Sequence, residues 1–155
     1  NLYAESLKIR VFDAQEVLDN IEEGKAAVAR LEKEALAKKK EIEGMQKELE
    51  KMKKDLDAQA LVLSKEAMQK EREGFQAKYI EFERKRVEAQ REMQQKELSE
   101  TGEIFKKINA VIQKMGKDGQ YDFILEKNQG AVTYFKSGDI TDEVITMYNK
   151  TYKTK

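Results

Sequence analysis

The chain has 155 residues with 30 Lys plus Arg against 30 Asp plus Glu, and it contains no His, Cys, Pro or Trp. Without His or Cys it has no Ser-His-Asp triad, no thiol nucleophile, no Cys/His zinc site and no disulfide. A charged content of 39% with no Pro is the composition of a long helix or coiled coil, and nothing approaches the apolar run of a membrane span.

Charge is evenly spread. Residues 1–32 carry 4 cations and 7 anions, residues 33–97 carry 17 and 15, and residues 98–155 carry 9 and 8. The concentrated basic stripe of a nucleic-acid binder is missing, so no nucleic-acid partner is expected.

In chain order, "LKIRVF" at 7–12 alternates Leu7, Ile9 and Val11 with Lys8 and Arg10, which predicts a strand. Asp13 and Glu16 then form a capping-box pattern at a helix start. From Val17 the positions Ile21, Gly24, Val28, Leu31, Ala35, Lys38, Ile42, Met45, Leu49, Met52, Leu56, Gln59 and Leu63 step by four and three. Most are apolar, which is a coiled-coil seam. A second seam runs through Met68, Arg72, Phe75, Tyr79, Phe82, Arg86, Ala89 and Met93 and resumes at Ile104, Ile108, Val111 and Met115. The gap between Met93 and Ile104 reads as a stutter, with a bend or a change of partner near Thr101-Gly102.

The two seams are out of phase, and the change falls within Asp55–Met68. This places a turn near 56–66 and makes residues 24–115 an antiparallel helical hairpin. The alternative is one rod through residue 115, since no Gly or Pro marks the turn. "GKDGQ" ends the arm. Strands are expected at about 120–126, with Tyr121, Phe123 and Leu125 on one face, and at about 131–136, with Val132 and Tyr134; "KNQG" joins them as a hairpin. Thr141 is the expected cap of a last helix over about 142–152.

Residues 1–23 and 116–155 thus read as one small β-body, in which "LKIRVF" pairs with the C-terminal strands and the arm returns to its own base. So small a body has too little core to stand alone and is expected to oligomerise. Leu7, Ile9, Val11, Tyr121, Phe123, Leu125, Val132 and Tyr134 are the candidates for that shared core.

The chain resembles the Skp/OmpH family of periplasmic chaperones. The similarity is carried by "KIRVFDAQEVL", by "REGFQAKYIEFERKR" at 72–86, and by "YDFILEKNQGAVTYFKSGDITDEVI" with Asp-Ile-Thr at 139–141. The resemblance implies a homotrimer: a mainly α chain whose long coiled-coil arm projects from a small shared β-body, three arms enclosing a cavity. It also implies an ATP-independent holdase, not an enzyme, with no cofactor or metal, which binds unfolded outer-membrane β-barrel proteins in the periplasm after removal of an export signal. Weak contact with membrane lipid or lipopolysaccharide would follow from the basic arms of relatives, whereas this chain is neutral. A structural scaffold or tether with no client is the competing function.

Apolar residues outside the seams are the candidate client contacts: Leu36, Ile80 and Val87 on the arm, and Leu61, Val62 and Leu63 at the tip. The plainer reading of each is broader packing within or between arms. Five of the six Met residues fall on the seams, which suits core filling as well as client contact. "KKK" at 38–40 and "RKR" at 84–86 read first as solvated helix faces.

Overall fold

A computed structural model describes residues 6–153. Residues 1–5 and 154–155, which the sequence reading assigned to the β-body, lie outside the described residues. The elements are β1 (Ile9–Phe12), α1 (Ala14–Asn20), α2 (Glu22–Gln59), α3 (Lys65–Gly119), β2 (Phe123–Glu126) and α4 (Thr141–Thr151). The chain forms two compact units, residues 1–30 with 98–155 and residues 31–97. The first unit therefore takes in the opening turns of α2 and the last turns of α3, beyond the expected boundaries at 23 and 116.

In the first unit β1 and β2 pair in parallel, Ile9 opposite Phe123 and Phe12 opposite Glu126. Parallel strands need a crossover connection, and here α1, α2 and α3 supply it. The expected hairpin between 120–126 and 131–136 is not formed, and residues 131–136 form no strand in this chain. The reason is visible at β1. Its second edge is taken by residues 138–140, where Val11 N donates to Gly138 O at 2.9 Å and Ile140 N donates to Val11 O at 2.9 Å. The chain must pass from one edge of β1 to the other between β2 and Gly138, so it cannot fold straight back on β2. Gly138 sits at φ 94°, where a side chain is strained.

The core of this unit joins Val17, Leu18 and Ile21 to Ala27, to Ile104, Ile108, Val111 and Ile112 of α3, and to Ile140, Val144 and Tyr148. α3 runs through Thr101-Gly102 as one helix. Past the stutter α3 still pairs with α2, through Glu100–Arg30 and Lys107–Glu23, and it also fills this core. The first seam is interrupted at Ile21, whose extended backbone (ψ 148°) separates α1 from α2. The predicted phase survives this break, since Gly24 is buried, and slips after it: Ala27 is 2% exposed while the predicted seam residue Val28 is 47% exposed.

Two caps differ from expectation. Asp13 does accept from Glu16 N at 2.9 Å, but the reciprocal arm of the box is missing. The Asp13 N–H donates instead to Thr141 Oγ1 at 3.1 Å, and Glu16 turns to Lys127. Thr141 is not the cap of α4; Ile140 holds that position without a side-chain bond. Asp139 Oδ1 accepts from both the N–H (2.9 Å) and the hydroxyl (2.5 Å) of Thr141.

In the second unit, α2 and α3 are joined by residues 60–64 and run antiparallel. Glu34–Lys96, Lys38–Glu92, Glu41–Lys85 and Glu48–Lys78 are ion pairs between them in a single descending register. Leu49 is the one fully buried apolar side chain among the described residues of this unit. Met45, Met52, Leu56, Met68, Phe75, Phe82, Ala89 and Met93 are half-buried along the same seam.

Glycine substitutions should separate two kinds of site. A Cβ at Gly24 would lie 1.8 Å from the Leu18 carbonyl oxygen, at the α1–α2 junction, whereas a Cβ at Gly44 or Gly74 meets nothing within 4 Å. Gly24→Ala should lower stability by about 2 kcal/mol or more, and Gly44→Ala and Gly74→Ala should raise helix stability by up to about 1 kcal/mol. Thermal melts followed by circular dichroism will show it; equal midpoints for all three would mean the junction relaxes freely.

Candidate functional site

The second unit carries all six sequence-predicted client-contact residues. Gln59 ends α2, and its carbonyl oxygen accepts from the N–H groups of both Val62 and Leu63 at 3.0 Å. Ser64 then starts α3, its hydroxyl accepting from Ala67 N at 3.2 Å. This turn is too short to fold its side chains inward. Leu61 is 100% exposed and Val62 82% exposed, while Leu63 is half-buried. Ile80 and Val87, each more than half exposed, are seven residues apart and share one face of α3, about 10 Å apart along its axis. Leu36 is also more than half exposed, but the Glu34–Lys96 and Lys38–Glu92 pairs set it at a different level from Ile80.

The sequence reading missed Tyr79, a seam residue that is 44% exposed, and Leu98, exposed on α3 within the first unit. Leu98 could have been found as an apolar residue lying on neither seam. Tyr79 could not, because its heptad position suggests burial. Its ring lies between Phe75 and Phe82, with centroids 6.5 Å from each.

The two cationic tracts meet in the register of this unit, yet all of their cations but Lys40 are paired with acids. Lys38 pairs with Glu92, Lys39 with Glu43, Arg84 with Glu88, Lys85 with Glu41 and Arg86 with Glu83. The pairs are exposed, so each contributes little stability, but together they leave no concentrated positive field. The hydrogen bond to Glu92 raises the Lys38 pKa, and its counterpart lowers that of Glu92.

The candidate self-association residues lie in the first unit. Side chains alternate across the β1–β2 pair. Phe12 and Ile124 face the core. Ile9, Val11, Phe123 and Leu125 belong to the other face, and Val11, although only 4% exposed, is outside that core cluster. Ile9, Phe123 and the preceding Leu7 are exposed. Tyr121 is half-buried, with the Arg10 guanidinium 4.6 Å from its ring centroid. Beyond β2, Val132 is half-buried and Tyr134 is 83% exposed. Among the described residues, Val11 on that second face is buried and Leu125 half-buried, while Leu7, Ile9 and Phe123 beside them stay exposed.

Two polar clusters hold this unit together. Lys127 Nζ approaches Asp139 at 2.9 Å, Glu16 at 3.4 Å and Asp13 at 3.8 Å, and Asn128 Nδ2 donates to Asp13 Oδ2 at 2.6 Å. Glu126 Oε2 accepts from Ala14 N at 2.7 Å. These contacts join the starts of α1 and α4 to the end of β2. In the second cluster the fully buried Tyr148 donates its hydroxyl to Glu23 Oε2 at 2.6 Å, and Lys107 Nζ donates to Glu23 Oε1 at 2.6 Å. Burial, reinforced by Glu23, pushes the Tyr148 phenol up. Burial also acts to raise Glu23, but the bonds from Lys107 and Tyr148 outweigh it and hold the carboxyl low. Asn149 Oδ1 accepts from Glu22 N at 3.0 Å, so α4 caps the first turn of α2.

No group of three or more acidic side chains among the described residues is placed to hold a metal ion. Paired helices that bare apolar side chains, joined to a small parallel sheet, define an interaction protein. Residues 8–148 match the family described as outer membrane protein (OmpH-like), and the chain belongs to that family, which is not one of enzymes. No significant match is found among curated proteins. Among solved structures, the fold is similar to an OmpH-like protein from Caulobacter crescentus, named provisionally as an outer membrane chaperone. That match has a TM-score of 0.85 and 24% identity, over 99% of this chain and 94% of the other.

The Lys127 cluster predicts a pH window. The backbone bond from Glu16 depresses Asp13; at Asp139 burial acts upward, but the bonds from Thr141 and Lys127 prevail and depress it. Lys127 is raised, chiefly by its bond to Asp139. Depressed carboxylates stabilise the fold above their ordinary value of 3.8 and lose that contribution as pH falls below it; the raised amine contributes below 10.5 and is lost above. Lys127→Met should lower the thermal midpoint at neutral pH and flatten the acid limb of its pH profile. An unchanged profile would show that the cluster contributes nothing.

Proposed function

We propose that the protein is an ATP-independent holdase of the periplasm that binds unfolded outer-membrane β-barrel proteins between the helical arms of a homotrimer and prevents their aggregation. The observation that carries this reading is the pair Leu61-Val62, bare on a turn whose own geometry denies them a core. Ile80, Val87 and Leu36 add dispersed apolar points, and Leu63 flanks the tip. Contacts of this kind gain about 25 cal/mol per Å² of apolar surface removed from water. Each is weak, and many together hold a chain without fixing its conformation. Paired cations on the arm favour apolar capture over electrostatic capture, which leaves lipid or lipopolysaccharide contact a minor role.

The exposed Ile9 and Phe123 and the half-buried Leu125 of one sheet face, with Leu7, Tyr121, Val132 and Tyr134 beside them, support self-association. Val11 is already buried within the chain and serves that interface only from beneath.

The pure protein should scatter light as three subunits and, at stoichiometric ratio and without nucleotide, should suppress aggregation of an unfolded β-barrel membrane protein. Failure to suppress aggregation, with three subunits intact, would favour the scaffold reading.

Leu61→Ser with Val62→Ser removes two apolar contacts of about 1.5 kcal/mol each and should weaken client affinity roughly tenfold or more while leaving the subunit count unchanged. Equal affinity would remove the tip from the contact surface.

A further inference from the structure

The sulfur of this chain is entirely thioether, since it has six Met and no Cys. Four of the six, Met45, Met52, Met68 and Met93, lie on the seam of the second unit, and all four are half-buried. A half-buried seam methionine is open to a small solute and structural at once. Met45 and Met52 flank Leu49, the one fully buried apolar side chain described there. The Glu41–Lys85 and Glu48–Lys78 pairs bring Met45 close to the level of Phe82, and Met52 close to that of Phe75. Two flexible thioethers thus lie opposite the Phe75–Tyr79–Phe82 aromatic row, the environment thioethers favour.

We propose that Met45 and Met52 form an oxidation site for hydroperoxides, through which oxidant loosens the seam and bares the aromatic row. The thioether sulfur attacks the terminal oxygen of the peroxide. The O–O bond breaks and an S–O bond forms. Sulfur loses two electrons, and the peroxide is reduced to water or the alcohol. The sulfoxide is polar and its oxygen needs a hydrogen-bond donor, whereas Leu49, Phe75 and Phe82 offer none. On the seam side an unpaired sulfoxide oxygen is unfavourable, and because both side chains are already half exposed a small local separation of the helices is enough to wet it. With a single fully buried residue between the two methionines, little apolar packing opposes that separation. Methionine sulfoxide reductase with a thiol reductant would reverse the change.

The inference does not depend on client binding. The full-length protein is treated with hydrogen peroxide, the modified residues are located by peptide mass spectrometry, and circular dichroism melts and the fluorescence of an apolar-surface dye are recorded. Conversion of Met45 and Met52 should lower the melting midpoint by about 5 °C and raise dye binding, and reductase treatment should restore both. The Met45→Leu, Met52→Leu variant keeps an apolar seam and should show neither change, even as other methionines oxidise. Three results would each overturn the proposal: the two thioethers resist peroxide, their conversion leaves the melt and dye binding unchanged, or the double variant responds as strongly as the parent.

Discussion

The fold rests on the parallel pairing of two four-residue strands whose partners stand 114 positions apart, Ile9 with Phe123. Closing a chain segment of that length costs about 4 kcal/mol of loop entropy relative to a local contact, more than so short a ladder returns. The pairing is possible because the connection is not a free loop. It is two long helices whose register is set by ion pairs and a shared seam, so the chain is already doubled back when the strands meet. The buried cluster of Val17, Ile21, Ile108, Val111, Val144 and Tyr148 then supplies the apolar burial that the strands cannot.

The polar contacts complete that arrangement instead of driving it. Lys127 gathers three carboxylates, Asp13 and Glu16 from the start of α1 and Asp139 from the approach to α4. Tyr148 and Asn149 anchor α4 to the opening residues of α2. Apart from Lys127–Asp139, these contacts join the two ends of the chain, so they depend on those ends being held together. They also explain the break at Ile21. The chain has no Pro anywhere, and α1 and α2 would continue as one helix if Asn149 did not take the Glu22 N–H and Gly24 did not admit the Leu18 carbonyl.

Binding chemistry follows from what this architecture leaves uncovered. Two helices packed on one seam bury one stripe each, so apolar residues on other faces stay in water unless a partner covers them. The cations that could have supplied a second mode of capture are matched by neighbouring acids. Dispersed apolar points on a neutral surface suit a partner with no fixed shape, because no single contact dictates its conformation.

Fold class and family were legible before any coordinates. Heptad steps, alternating strands and the flanking motifs are local signals, and they identify a mainly helical chain with a small sheet. The sequence also supplied the half of the helix start that depends on neighbours, Asp13 accepting from Glu16. Tertiary structure decided the rest. The hairpin of 120–126 with 131–136 was a sound local reading, but residues 138–140 claim the second edge of β1 and draw the chain away. Thr141 has the chemistry of a cap, but it is committed to Asp13 and Asp139. Val28 fits the heptad, but the seam slips after Gly24 and buries Ala27 in its place. Tyr79 fits it too and is left half in water, because a seam of only two helices does not enclose every position. Periodicity records which residues can share a face; which face finds a partner is set by contacts between segments a hundred residues apart, and no window of sequence contains both.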